Sequence, residues 1–129
     1  MNLSRREIDA FSNLALAHLG DGVFSLLCRA RLCARGEHTA QELHRHSIAQ
    51  VNAPAQAAFA EKILPFLTQE EQVYYRRGKN AHTHAAPKAA SPKEYAMATG
   101  LETLFGALYL AGQTQRLNEL FALGLGEGE

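Results

Sequence analysis

Two carboxylates stand almost alone in apolar runs, and residues of that type in that setting can do chemistry. Residues 14–27 have the length and apolar density of a buried helix but carry Asp21 in their middle, and no Lys or Arg occurs between Phe11 and Cys28 to pair with it locally. In residues 96–114 the only charged side chain is Glu102. An ionised carboxylate in an apolar interior must pair, take up a proton or bind a metal. At helical spacing Asp21 shares its face with Ala17 and Ser25, and Glu102 shares its face with Ala98, Thr99 and Gly106. Such small faces let two helices approach closely, so the two acids could hold one divalent cation through carboxylate oxygens. The bland alternative stays open: each acid could cap another helix or accept hydrogen bonds from backbone and hydroxyl groups.

The other candidate groups are basic or soft. Residues 76–93 hold Arg76, Arg77, Lys79, Lys88 and Lys93 with no acid, in a chain of 13 basic and 13 acidic side chains whose formal net charge is zero. The whole molecule is therefore no electrostatic magnet for nucleic acid, and any anion site must come from that local segregation. A solvated loop is the ordinary reading of such a run. His44 and His46, and His82 and His84, are two apart; helical positions two apart diverge and no third ligand is near, which argues against zinc. Phosphate contact is the more ordinary use for His82 and His84. Cys28 and Cys33, five apart on a helix, point to different faces and read as free thiols. No secretory signal or membrane span is recognisable, so a soluble, cytoplasmic protein is expected.

The elements that position these groups read as helices throughout. At 129 residues the chain fits one domain, no segment alternates with period two, and an all-α fold of six or seven helices follows. Ser4 with Glu7 marks a first short helix, and Ser12 or Asn13 opens the helix of Asp21, which should run to about Ala34 before Gly36. Gly20 and Gly22 beside Asp21 each weaken it by roughly 1 kcal/mol, which implies close packing or the approach of a ligand or second chain. Thr39 with Glu42 opens a helix to about Val51, Asn52 caps the next, and Pro65 tightens its end. Thr68 with Glu71 opens another that closes near Gly78. Residues 79–90 have no apolar period and should form a long, mobile loop. Ser91, Pro92 and Glu94 start the helix of Glu102, which stops near Gly112, and residues 114–123 can form a last helix.

Leu19-Gly20-Asp21-Gly22-Val23 resembles the Leu-Gly-Asp-Ala-Val part of the ribonuclease III signature, and residues 101–110, Leu-Glu-Thr-Leu-Phe-Gly-Ala-Leu-Tyr-Leu, resemble that family's second acidic helix. Order and separation agree as well. More narrowly, Leu14-Ala15-Leu16-Ala17-His18-Leu19-Gly20-Asp21, Arg76-Arg77-Gly78-Lys79-Asn80-Ala81 and Pro87-Lys88 look like the Mini-ribonuclease III subgroup. The resemblance extends from about residue 12 to 122.

That resemblance implies a homodimeric, all-helical endonuclease domain without a separate double-stranded RNA-binding domain. It implies metal-dependent hydrolysis of double-stranded RNA to 5′-phosphate and 3′-hydroxyl ends, in maturation of large-subunit (23S) ribosomal RNA. Asp21 and Glu102 would be the catalytic metal ligands. Where the wider family has further acids this chain has Leu14, Ala17 and Thr99, so one Mg²⁺ with several waters is the expected arrangement, with Mn²⁺ able to substitute. A-form RNA is recognised by shape and backbone; Arg76, Arg77, Lys79 and Lys88 are the expected phosphate contacts, with Asn80 and Thr83 on ribose hydroxyls. Cutting both strands needs two acid pairs, hence a twofold dimer, with Phe24 and Leu27 as interface candidates. The lack of a second RNA-binding domain leaves room for a ribosomal protein helper. Two rivals remain at this point: an RNA-binding ribosome assembly factor without cleavage, and a helical protein-interaction module.

Overall fold

A computed structural model describes residues 1–81 and 90–127, and the side chains of all of these except 48–50. Its organisation follows from the helix α6, Pro92–Leu110, whose second half carries apolar or small side chains on every side. A helix of that kind must be surrounded. It packs on α2 (Asn13–Ala34), α4 (Ala53–Ile63), α5 (Gln69–Lys79) and α7 (Thr114–Gly124), while α3 (Ala40–Val51) bridges α2 and α4. The short α1 (Arg5–Asp9) precedes α2, and Leu3 N–H bonds the Leu110 carbonyl at 2.7 Å, tying the chain start to the end of α6. All regular structure among the described residues is helical, as expected, and no described helix is long and apolar enough to cross a membrane.

Local sequence chemistry sets the helix starts. Ser4, Ser12, Thr39, Asn52, Thr68 and Ser91 each accept a hydrogen bond from a backbone N–H in the first turn of the helix they open. Glu7, Glu71 and Glu94 reach back to close capping boxes. After α4 the chain tightens into a 3₁₀ turn over Leu64–Phe66 that contains Pro65. The 79–90 segment is only partly described: Lys79 ends α5, Asn80 caps it, and residues 82–89 lie outside the described residues.

Four phenylalanines knit α2, α4, α6 and α7 together. Phe24 meets Phe59 edge-on with ring centroids 5.1 Å apart, and also packs on Phe105 and Phe121. This corrects one expectation: Phe24 is 2% exposed and belongs to the chain's own core, so it offers a second copy nothing to bind. Leu27 is half-buried against that core, and Leu26, at 61% exposure, is the apolar side chain of this region that faces outward.

A buried ion pair clamps α7 to α5. Arg116 donates to both Glu71 carboxylate oxygens at 2.8 Å and to the Phe66 carbonyl, and Glu71 is almost fully buried. Burial alone would raise the Glu71 pKa, but the Arg116 guanidinium and the Thr68 donors outweigh it and hold the carboxyl below its usual range. Its folded value being lower than its unfolded one, the pair's contribution is present at neutral pH and is lost as pH falls through the folded value. Arg116→Ala should therefore destabilise by about 2 kcal/mol at pH 7, less than a fully buried pair because the guanidinium is 23% exposed. Urea denaturation at pH 7 and at acid pH checks this, since the deficit should shrink once Glu71 is protonated.

Candidate active site

Glycines bring α2 and α6 into backbone contact. A Cβ on Gly20 would collide with the Glu102 carbonyl oxygen, and one on Gly106 would collide with the Leu16 carbonyl oxygen. The small face of α6 at Gly106 is the expected one. On α2 the backbone contact is made at Gly20, one residue round from Asp21 and one turn after the buried Ala17. Asp21 is consequently not enclosed: it is exposed at the edge of this contact, with Gly22 beside it in open space. Glu102, one turn before Gly106, lies deeper and is half-buried.

The close approach lets the two carboxyl groups meet. Glu102 is hydrogen-bonded to Asp21, and its pKa is pushed up to about 8, first by burial and then by the hydrogen bond and the like charge of Asp21. Without a cation the pair therefore holds a proton at neutral pH. Among the described residues no Lys or Arg forms an ion pair with either acid. Two hard oxygen donors in contact, uncompensated and open to solvent on the Asp21 side, fit a small divalent cation that keeps part of its water shell. The same cation would replace the proton that the pair otherwise shares.

No further His, Cys, Asp or Glu joins them among the described residues. Thr99 is buried and its hydroxyl donates to the Tyr95 carbonyl of its own helix at 3.0 Å, while Ala17 is buried and Leu14 half exposed. The third polar group is instead Gln56 of α4, 3% exposed, whose amide acts on Glu102 in the opposite sense to Asp21. Its Nε2 has no partner at ordinary hydrogen-bond distance. Gln56 carries the signal that marks Asp21 and Glu102, a lone polar residue in an apolar run, here between Asn52 and Glu61. Its neutral side chain let it pass as an ordinary helix residue.

The basic residues divide. Arg76, Lys79 and Asn80 are exposed. Arg77 is turned inward along the surface: it donates to Asn13 Oδ1 at 2.7 Å, to Asp9 and to the Phe11 carbonyl, and it lies over the Tyr74 ring. Its guanidinium thus ties α5 to α1 and α2, a structural use beside the phosphate contact expected of it. Thr83, Lys88, His82 and His84 lie outside the described residues. His46 bonds Glu37 through Nδ1 and His44 is exposed, so that pair forms no joint site, and Cys28 and Cys33 are free.

Comparison with known proteins adds a second kind of observation. The family model described as the Ribonuclease III domain matches residues 14–113, a stretch that contains both acids. The chain is 50% identical over 107 residues to the Mini-ribonuclease 3 of Symbiobacterium thermophilum, spanning 83% of this chain and 82% of that one. It is 36% identical over 123 residues to the Mini-ribonuclease 3 of a Thermoanaerobacter species, spanning 95% and 87%. Its fold is similar to the crystal structure of a Fusobacterium nucleatum protein, with a TM-score of 0.80 and 30% identity over 93% of this chain and 96% of that one.

Proposed function

We propose that this chain, which belongs to the Mini-ribonuclease III family, is a metal-dependent endoribonuclease for double-stranded RNA whose catalytic centre is the pair Asp21 and Glu102. The observation that carries the reading is the meeting of two carboxyl groups, delivered by separate helices, with no described Lys or Arg paired to either. A structural acid would have a cation for a partner; the charged neighbour of each of these is another acid. Asp21 and Glu102 would hold Mg²⁺, or Mn²⁺ in its place. Bound there, the ion would lower the pKa of its water and offset charge building on the scissile phosphate, leaving 5′-phosphate and 3′-hydroxyl ends. The two carboxylates must both be ionised to hold it, so Glu102 has to release its proton.

Recognition of the duplex by shape and backbone falls to the exposed cations near the end of α5, Arg76 and Lys79, with Asn80 for ribose hydroxyls; Lys88 for phosphate and Thr83 for ribose, outside the described residues, are proposed from the family resemblance alone. Replacing Arg76 and Lys79 together by Ala should weaken duplex binding without sequence preference and flatten its salt dependence by roughly one unit of slope for each phosphate no longer neutralised. Arg77→Ala should instead lower the melting temperature and leave that slope alone. Filter binding between low and moderate salt separates the two. Each chain has one acid pair, so cutting both strands calls for a twofold homodimer, in which the exposed Leu26 and the neighbouring Leu27 of α2 supply apolar contact. The proposed substrate is precursor large-subunit ribosomal RNA in the cytoplasm, presented with the help of a ribosomal protein.

The reading is tested with one labelled RNA, annealed and single-stranded, incubated with the protein in Mg²⁺. Cleavage of the duplex alone, at sites that yield 5′-phosphate ends, is expected. Duplex binding without turnover would contradict it and favour an assembly factor.

A further inference from the structure

We propose that Gln56 is a positioning residue of the metal centre: its amide holds the Glu102 carboxylate in the orientation that binds the cation, in place of an additional acidic ligand. This inference rests on the reading of Asp21 and Glu102 as metal ligands.

The burial of Gln56 is what calls for an explanation. It is 3% exposed on a helix that otherwise presents Ala57, Phe59, Ala60 and Ile63 to the core, where a leucine or methionine would be the ordinary occupant. A buried amide without a hydrogen-bond partner lowers stability, and Nε2 of Gln56 has none at ordinary distance. Its helix α4 packs on α6, and the carboxyl group within reach of its amide there is Glu102, the deeper of the two acids. An amide retained at a loss to folding beside a ligating carboxylate has its use in holding that carboxylate for the cation. The N–H then donates to one Glu102 oxygen and leaves the other for the cation. Donors behind a ligating carboxylate fix its orientation, and their loss commonly weakens metal affinity by about 10- to 100-fold. The arrangement also suits a chain with Ala17 and Thr99 at positions that could have carried acids: a neutral amide adds order to the centre without adding a third like charge to a pair that already repels.

The structural alternative predicts the opposite pattern. If Gln56 served packing or folding, removing its amide would destabilise the protein and leave metal affinity unchanged. Gln56→Leu and Gln56→Met keep the volume and delete the amide, so they distinguish the two.

The experiment is a calorimetric titration of the purified full chain with Mn²⁺, for wild type, Gln56→Leu, Gln56→Met and Asp21→Asn, with metal-free melting temperatures and the Mn²⁺ dependence of cleavage measured in parallel. The expected result is Mn²⁺ affinity reduced about 10- to 100-fold in both Gln56 variants, with metal-free melting temperatures equal to or above wild type and turnover recovered at high Mn²⁺. Unchanged Mn²⁺ affinity in the Gln56 variants, with binding lost in Asp21→Asn, would overturn the role of Gln56 and leave the carboxylate centre standing. A lowered metal-free melting temperature in both Gln56 variants would also overturn it. Equal Mn²⁺ binding by wild type and Asp21→Asn would remove the centre itself, and Gln56 with it.

Discussion

Gly20→Ala should destabilise the protein by about 3 kcal/mol or more and abolish cleavage with it. The added methyl group would be driven into the Glu102 carbonyl oxygen, a backbone atom in the middle of the central helix. A flexible side chain could move aside; α6 cannot, because α4, α5 and α7 hold it on its other sides. Relief therefore requires α2 and α6 to separate, which opens the Phe24 contact with Phe105 and parts the two carboxyl groups. Gly22→Ala provides the internal control. No atom lies within 4 Å of a Cβ at Gly22, so the methyl group should meet no resistance and raise stability by about 1 kcal/mol through helix propensity. Urea midpoints of the two variants should thus move in opposite directions, and a Gly20→Ala protein as stable as wild type would contradict the contact between α2 and α6.

Asp21→Asn should reduce turnover on duplex RNA roughly a thousandfold, since a lost metal ligand removes several kcal/mol of transition-state stabilisation. Its effect on the fold should have the other sign. In the metal-free protein Glu102 has a folded pKa raised to about 8, so between the ordinary carboxylate range and that value the folded chain holds a proton that the unfolded chain has released. Stability then falls as pH rises across this window. Burial, the largest cause, survives the substitution, but the like charge of Asp21 does not. Metal-free Asp21→Asn should accordingly lose less stability than wild type between about pH 6 and pH 9, as thermal melts in chelator would record. A variant that is inactive and simultaneously more tolerant of alkaline pH is the behaviour of a site that trades stability for function. Full turnover by Asp21→Asn would remove the metal assignment.

Which parts of this were legible in the sequence depends on the range of the interaction. Six helix starts were readable because a Ser, Thr or Asn accepts from a backbone N–H in the adjacent turn, so both partners are neighbours in the chain. The two acids stood out because a charge in an apolar run must have a reason, and the glycines beside Asp21 pointed to close packing. Long-range choices were not readable. Arg77 looked like one more cation in a basic run, yet its partners Asn13, Asp9 and the Phe11 carbonyl come from the far end of the chain. Helix α2 is apolar on more than one side, so spacing alone could not decide that Phe24 turns into the core while Leu26 faces out. The same ambiguity placed Asp21 on the packing face, where the fold puts Gly20. Gln56 was missed because a neutral amide raises no alarm until its burial and its nearness to Glu102 are known.

The most direct measurement of the central claim is cleavage of an end-labelled double-stranded RNA by wild type and Asp21→Asn side by side, each in Mg²⁺ and in chelator, at low salt so that binding does not limit the rate. Wild type should cut in Mg²⁺ alone, with Asp21→Asn still binding the duplex but leaving it whole. Equal cutting by the two proteins, or cutting by wild type that persists in chelator, would contradict the claim.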